Sequence, residues 1–227
     1  MTYNRGMKNR DFKQFARDSI QHVYNRGDNR ENIFRDEEDY RAFIYRLGLG
    51  LGFEADELNK HPLSSISKSR IRITKTNKDN FRLHAFSLIP NHFHLLIEQC
   101  TELPISSLIL KVCTSYAMFI NKKYKRVGHI FQDQYKSVLI KSHPQLMWIP
   151  GYIHMNSVEA GIVKHPADYK WSSYNDYVSD RGLPITHTKF LLETFEGKKG
   201  FEKTTLDALK DMSRVSRVTL DMWGFHS

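Results

Sequence analysis

The sequence predicts an α+β fold, in which antiparallel strands carry helices packed on them, and three observations support this. Residues 20–27 alternate polar with β-branched or aromatic side chains and stop at Gly27. Residues 81–98 contain two apolar stretches broken only by Pro90-Asn91, the pattern of an antiparallel hairpin. Between and after these strands, residues 36–49 and 103–125 place apolar side chains at helical spacing.

Taken in order, residues 1–18 hold Arg5, Lys8, Arg10, Lys13 and Arg17 with little apolar periodicity, and read as a loose basic arm. Ile20-Gln21-His22-Val23-Tyr24-Asn25-Arg26 reads as the first strand, with polar members able to face a ligand. Asp36, Glu37, Glu38 and Asp39 then open a helix, where acids suit the positive end of the dipole, and Tyr40, Phe43, Ile44 and Leu47 form its apolar stripe. Residues 48–80 lose the pattern and read as an insertion. Its basic part, from Lys68 to Arg82, alternates Arg70, Arg72 and Thr74 with Ile71 and Ile73, which suits a strand or β-ribbon with one cationic edge able to touch phosphates and suits equally a solvated edge that discourages aggregation.

Residues 81–89 and 92–98 form the hairpin. The helix expected over 103–125 ends in Lys122, Lys123, Lys125 and Arg126, a basic terminus that the dipole favours without any DNA. Residues 128–140 become strand-like toward their end, with Gln132, Gln134 and Lys136 between larger residues. A further helix is expected from Pro150 to about Ala160, because proline suits a first helical position and Gly161 follows as a stop. From about residue 180 two helix-like stretches, 189–196 and 201–212, precede a basic end with Arg214 and Arg217. The expected organisation is thus an arm at 1–18, a main domain at 19–178 with its insertion at 48–80, and a helical tail at 179–227.

Composition bounds the function. The chain has 227 residues, 40% hydrophobic and 12% aromatic, enough for a sizeable core. No run approaches the roughly 18 apolar residues of a membrane span, and the N-terminal residues lack the apolar core of a signal peptide, so a cytoplasmic protein with no membrane partner is expected. Cys100 and Cys113 sit in no metal-binding spacing and are too few for a disulfide framework. A net charge of +9 and a pI near 9.4 point to a polyanionic partner, most often nucleic acid.

The chemistry gathers in two short stretches. In Asn91-His92-Phe93-His94-Leu95-Leu96-Ile97, alternation sends both imidazoles to one face and Phe93, Leu95 and Ile97 to the other. Two such histidines can hold a divalent cation but need a third ligand, and an isolated pair also suits an ordinary polar face. In Tyr152-Ile153-His154-Met155-Asn156, the tyrosine and the asparagine are four apart and share a helical face. If that face looks at the histidines, Asn156 supplies the third ligand and Tyr152 lies beside whatever phosphate the ion polarises. A helical tyrosine taken alone more often just packs. Met155 is too soft for Mg²⁺, and Glu159 is the alternative oxygen ligand two turns on.

These residues carry a resemblance. Pro90-Asn91-His92-Phe93-His94-Leu95-Leu96-Ile97 resembles the HUH motif of single-tyrosine transposases, and residues 152–163 resemble their tyrosine helix. Residues 22–40, 128–137 and 166–174 resemble further segments of the REP-associated branch, in family order. The resemblance implies a ferredoxin-like or RRM-like antiparallel sheet with helices on one side and the HUH strand inside. It implies cleavage and rejoining of single-stranded DNA beside a hairpin through a 5′-phosphotyrosine, with Mg²⁺ or Mn²⁺ and no ATP, in a monomer or homodimer. By it Tyr152 is the nucleophile, His92, His94 and Asn156 are the metal ligands, and Arg26, Arg70, Arg72, Lys122, Lys123, Lys125, Arg126 and Lys136 are candidates for DNA contacts. Two departures stand out: Ser157 where the family usually has proline, and Pro150-Gly151 directly before the tyrosine, which predict a late or kinked helix start. Two other functions fit parts of the pattern: a catalytically inactive, transposase-derived protein that binds hairpin DNA, and a metal hydrolase using the two histidines and a water.

Overall fold

The computed structural model describes residues 17–66, 71 and 73–212. Nearly all of the expected basic arm and, with it, Lys68, Arg70, Arg72, Arg214 and Arg217 lie outside the described residues.

Four strands form one antiparallel sheet in the order β2-β3-β1-β4. They are β1 (Ser19–Arg26), β2 (Phe81–Ile89), β3 (His92–Gln99) and β4 (Lys136–Leu139). The histidine strand β3 is therefore internal, paired with β1 on one side and β2 on the other. Val23, Phe86, Leu88, Phe93, Leu95 and Ile97 turn to one face, where they pack with α1 (Glu37–Gly50) and α3 (Ile105–Lys123). Each such side chain, fully buried, contributes about 1.5–3 kcal/mol of transfer free energy.

The opposite face is covered too, contrary to the one-sided arrangement the resemblance implied. Leu96 and Ala85 join Ile149 and Ile153 of α4 (His143–Glu159) in a second core. The short helix α5 (Tyr174–Val178) contributes Tyr174 and Tyr177, α6 (Lys189–Thr194) contributes Leu191, and α7 (Lys198–Met212) contributes Phe201. The reason is legible in β3: Leu95-Leu96-Ile97 is apolar on both faces, so both must be buried. A register shift in the β2–β3 ladder between Leu83 and Ala85 lets Leu83 and Phe86 both reach the first core while Ala85 reaches the second.

Local chemistry sets the helix ends. Asp36 caps α1 by accepting from the Asp39 N–H at 3.1 Å. Helix α4 starts at His143, seven residues before the expected start at Pro150. Ser142 is its N-cap, accepting from Gln145 N–H, and Pro144 rather than Pro150 occupies its first turn. Pro150 lies inside the helix, where its missing N–H leaves the Leu146 carbonyl without that ladder bond.

Gly151 has a packing reason. A β-carbon there would stand 2.7 Å from Cβ of Ala208 and 3.4 Å from Cα of Thr205, so α7 approaches α4 more closely than any side chain at this position allows. The stretches expected to be helical at 189–196 and 201–212 are α6 and α7, and they brace the tyrosine-bearing helix.

The insertion differs from its expectation. Residues 55–59 form the short helix α2 (Ala55–Asn59), and the described residues between Ile71 and Asn80 contain no strand. Instead of an open cationic edge, Lys75 pairs with Glu54 at 2.5 Å and Lys78 with Glu57 at 3.2 Å. Lysines that meet carboxylates at the N-cap and in the middle of α2 need no neighbouring strand.

Candidate active site

Antiparallel register assembles a cluster on the α4 face of the sheet. Tyr24 lies opposite His94, Arg26 opposite His92, and Lys136 opposite Tyr24. Alternation therefore brings His22, Tyr24 and Arg26 of β1, His92 and His94 of β3, and Lys136 of β4 to the same side. Helix α4 follows β4 and runs back along this face, delivering Tyr152 and Asn156 to the end where His92 and Arg26 sit. The Tyr152 ring meets the His94 ring edge-on with centroids 5.6 Å apart and the His22 ring at 5.8 Å. The structure thus brings together His92, His94, Tyr152 and Asn156.

Each ring is held. His92 Nδ1 lies 2.6 Å from Asn91 Oδ1, an atom that can only accept, so this nitrogen carries the proton and Nε2 keeps the lone pair. His94 Nδ1 lies 2.9 Å from Nε2 of His22. Asn156 donates from Nδ2 to the Tyr152 carbonyl at 2.7 Å, and its side chain lies close enough to those of His92 and Tyr152 to affect the protonation of both. Trp148, one turn before Tyr152, stacks on it at 4.9 Å.

Burial governs the protonation states. It lowers His92 to about 4, with the nearby Arg26 charge acting in the same direction. It lowers His22 to about 3 and holds His94 well below the ordinary imidazole range, His92 and His22 adding to the effect. All three rings are neutral near pH 7, the state in which an imidazole nitrogen can donate to a metal. Burial also raises the Tyr152 phenol, helped by the charge of Glu159, so the resting hydroxyl is protonated. Tyr152 is 5% exposed.

Among the described residues no three His, Cys, Asp or Glu side chains gather as a metal centre. A divalent ion here would therefore draw on the Asn156 amide as its third protein donor. The arrangement fits such an ion: Asn91 and His22 occupy the Nδ1 atoms of the two histidines, and the Asn156 side chain lies close enough to His92 to affect its protonation.

The DNA-contact candidates separate into groups. Arg26 and Lys136 lie on the same sheet face as the histidines, and Lys136 is exposed. Lys122, Lys123, Lys125 and Arg126 sit at the end of α3, on the other layer of the sheet. Lys122 and Lys125 are exposed there. Lys123 is not a free cation, since its ammonium lies 2.7 to 2.8 Å from Asp36, Glu38 and Asp39 at the start of α1. Arg126 pairs with Glu31 at 3.2 Å. The acids expected to serve the α1 dipole thus also neutralise part of the α3 terminus. Arg70 and Arg72 lie outside the described residues.

Sequence reasoning missed His22, Tyr24 and Trp148. The first two had a signal: His22-x-Tyr24-x-Arg26 alternates as the histidine strand does, but only the pairing of β1 with β3 places it beside that strand. Trp148 was hidden because the helix was expected to start after it.

Residues 65–156 match the family model described as IS200-like transposases, a span that includes the histidine pair and closes on Asn156. Over those residues the chain is similar to the IS200-like transposases. Its fold is similar to that of a solved REP-associated tyrosine transposase bound to a REP hairpin, at a TM-score of 0.50 and 17% identity over 77% of this chain and 90% of that one. No curated protein matches the sequence. Among the described residues no helix is long and apolar enough to cross a membrane.

Proposed function

We propose that this IS200-like protein is a DNA strand transferase that cleaves and rejoins single-stranded DNA beside a folded hairpin, with Tyr152 as nucleophile. One observation carries the reading: a tyrosine on α4 meets the His92 and His94 face of the sheet beside an asparagine that contacts both His92 and the tyrosine. The solved relative in complex with a REP hairpin supports hairpin DNA as the partner. In this reading residues 19–178 form the catalytic domain, and the segment from 179 carries helices that brace it.

The chemistry balances without an external energy source. Tyr152 Oη forms a bond to phosphorus as its proton departs, the P–O3′ bond breaks, and the leaving 3′ oxygen takes up a proton. One phosphodiester is exchanged for another, so the joined strand retains the energy to be resealed to a 3′ hydroxyl. His92, His94 and Asn156 would hold Mg²⁺ or Mn²⁺. Such an ion supplies Lewis-acid stabilisation of the charge that develops on the phosphate. All three donors are neutral, so they leave the ion's charge for the phosphate. Arg26 and Lys136 on the same face add fixed positive charge for the strand. The stacked Trp148 and the ring edges of His22 and His94 limit rotation of the Tyr152 side chain.

The binding-only reading draws on the 5% exposure of Tyr152, since a phenol this buried meets a phosphate only if the strand enters the pocket or α4 shifts. Cleavage separates the two. Labelled hairpin DNA with a single-stranded flank, run on a denaturing gel with the parent protein and Mn²⁺, should give a covalent adduct on the 5′ side. Tyr152→Phe should bind the same DNA and form none. Binding by the parent with no adduct supports the inactive, hairpin-binding protein, and equal cleavage by Tyr152→Phe supports a water-based hydrolase.

A further inference from the structure

We infer that His22 is a positioning residue that fixes the ring tautomer of His94 and so makes His94 able to bind the cation; this rests on the metal-dependent reading above. A neutral imidazole has one N–H and one lone pair. For His94 to offer Nε2 to an ion, its proton must sit on Nδ1, where a neighbouring acceptor holds it. Nε2 of His22 lies 2.9 Å from that nitrogen. The two rings are nearly parallel, 5.1 Å apart at 11°, and both residues are buried, at 1% and 3% exposure. His22 sits opposite Leu96, two residues along β3 from His94, and is thus the diagonal cross-strand neighbour of His94, so the sheet itself holds the contact in register.

The same hydrogen bond has two possible polarities. With the His22 proton on Nδ1, His22 Nε2 accepts and His94 keeps Nε2 open. With the His22 proton on Nε2, the bond reverses, the His94 proton moves to its own Nε2, and that nitrogen no longer donates to a metal. Asn91 does the corresponding work for His92 with an oxygen that can only accept. His22 thus does for one ligand what the Asn91 side chain does for the other, from a different strand.

The test uses the full-length protein without DNA. Long-range ¹⁵N–¹H correlation spectra read the His94 tautomer, and titration calorimetry with Mn²⁺ reads the site. In the parent, His94 should be protonated on Nδ1. His22→Phe keeps a flat ring but no acceptor; it should move the His94 proton to Nε2 and weaken Mn²⁺ binding by about 10–100-fold. His22→Gln, which keeps an acceptor oxygen at similar reach, should stay within about threefold of the parent, the lower edge of that range being tenfold. A parent His94 protonated on Nε2, or a His22→Phe protein with parental Mn²⁺ affinity, overturns the inference. If His22→Phe does not fold, the parental tautomer and the glutamine variant still decide it. His94→Ala separates the two levels. If it binds Mn²⁺ as the parent does, the metal reading fails and the inference with it; if it loses binding while His22→Phe does not, only the role of His22 falls.

Discussion

The contact between Gly151 and α7 can be tested by overpacking it. A methyl group added by Gly151→Ala would lie 2.7 Å from Cβ of Ala208, well inside carbon–carbon contact, and 3.4 Å from Cα of Thr205. Neither neighbour is the end of a flexible side chain, so the two helices must separate. Overpacking of this kind costs about 1–3 kcal/mol, while replacing a mid-helix glycine with alanine returns up to about 1 kcal/mol of helix propensity. Gly151→Ala alone should therefore destabilise by about 0–2 kcal/mol. At roughly 2–4 °C per kcal/mol for a chain of this size, the melting temperature falls by at most about 8 °C. Ala208→Gly removes the opposing methyl but loses about 1 kcal/mol of propensity. In the double variant the clash is gone and the propensity changes cancel. The pair should then be coupled by about 1–3 kcal/mol, measured as a double-mutant cycle from urea unfolding of the four proteins. Effects that add to within about 0.5 kcal/mol would show that α7 does not rest on Gly151 and refute the packing argument.

Other perturbations address the site and its surroundings. Asn156→Ala should raise the Mg²⁺ or Mn²⁺ concentration needed for cleavage by at least about tenfold while sparing metal-free DNA binding, and Asn156→Asp should retain more activity than the alanine; an unchanged metal requirement would move the third ligand, with Glu159 the next to test. Lys122→Glu and Lys136→Glu should each weaken binding to every DNA sequence alike and lower the slope of log affinity against log salt by about 0.7 per lost contact with a single strand, read by fluorescence anisotropy. Lys123→Ala should instead lower the melting temperature, because its removal leaves Asp36, Glu38 and Asp39 facing one another. His154 is buried against Ser173, at 2.7 Å, and burial lowers it to about 3, with the Arg181 charge adding to the shift. Its neutral form is favoured in the fold, so its contribution is complete above about 6.5 and is lost as pH falls toward 3, by about 1.4 kcal/mol per pH unit. His154→Gln should flatten that part of the stability–pH curve by one proton, and an unchanged slope would place the acid sensitivity elsewhere.

Local pattern alone determined the strands, the hairpin and the pairing of functions along each element. Alternation put His92 and His94 on one face, and the spacing of four put Tyr152 and Asn156 on another, because side-chain direction follows from backbone period within a single element. It also marked the α1 and α3 stripes. Where local signals competed, the sequence misled: Pro150 reads as a helix start, yet Ser142 and Pro144 supply a better one, and the apolar contacts of Ile149 and Ile153 carry the helix through the proline. Only the tertiary structure decided which faces meet. The position of β1 beside β3 brings His22 to His94, the return of α4 across the sheet brings Tyr152 and Asn156 to both, and the close approach of α7 explains Gly151. It also turned Lys123 from a DNA-contact candidate into an internal ion pair with acids 84 to 87 residues away. The physical reason is common to all of these: the free energy that brings them together comes from burying both faces of one sheet, and the partners that each face selects are set by contacts between distant segments that no local period records.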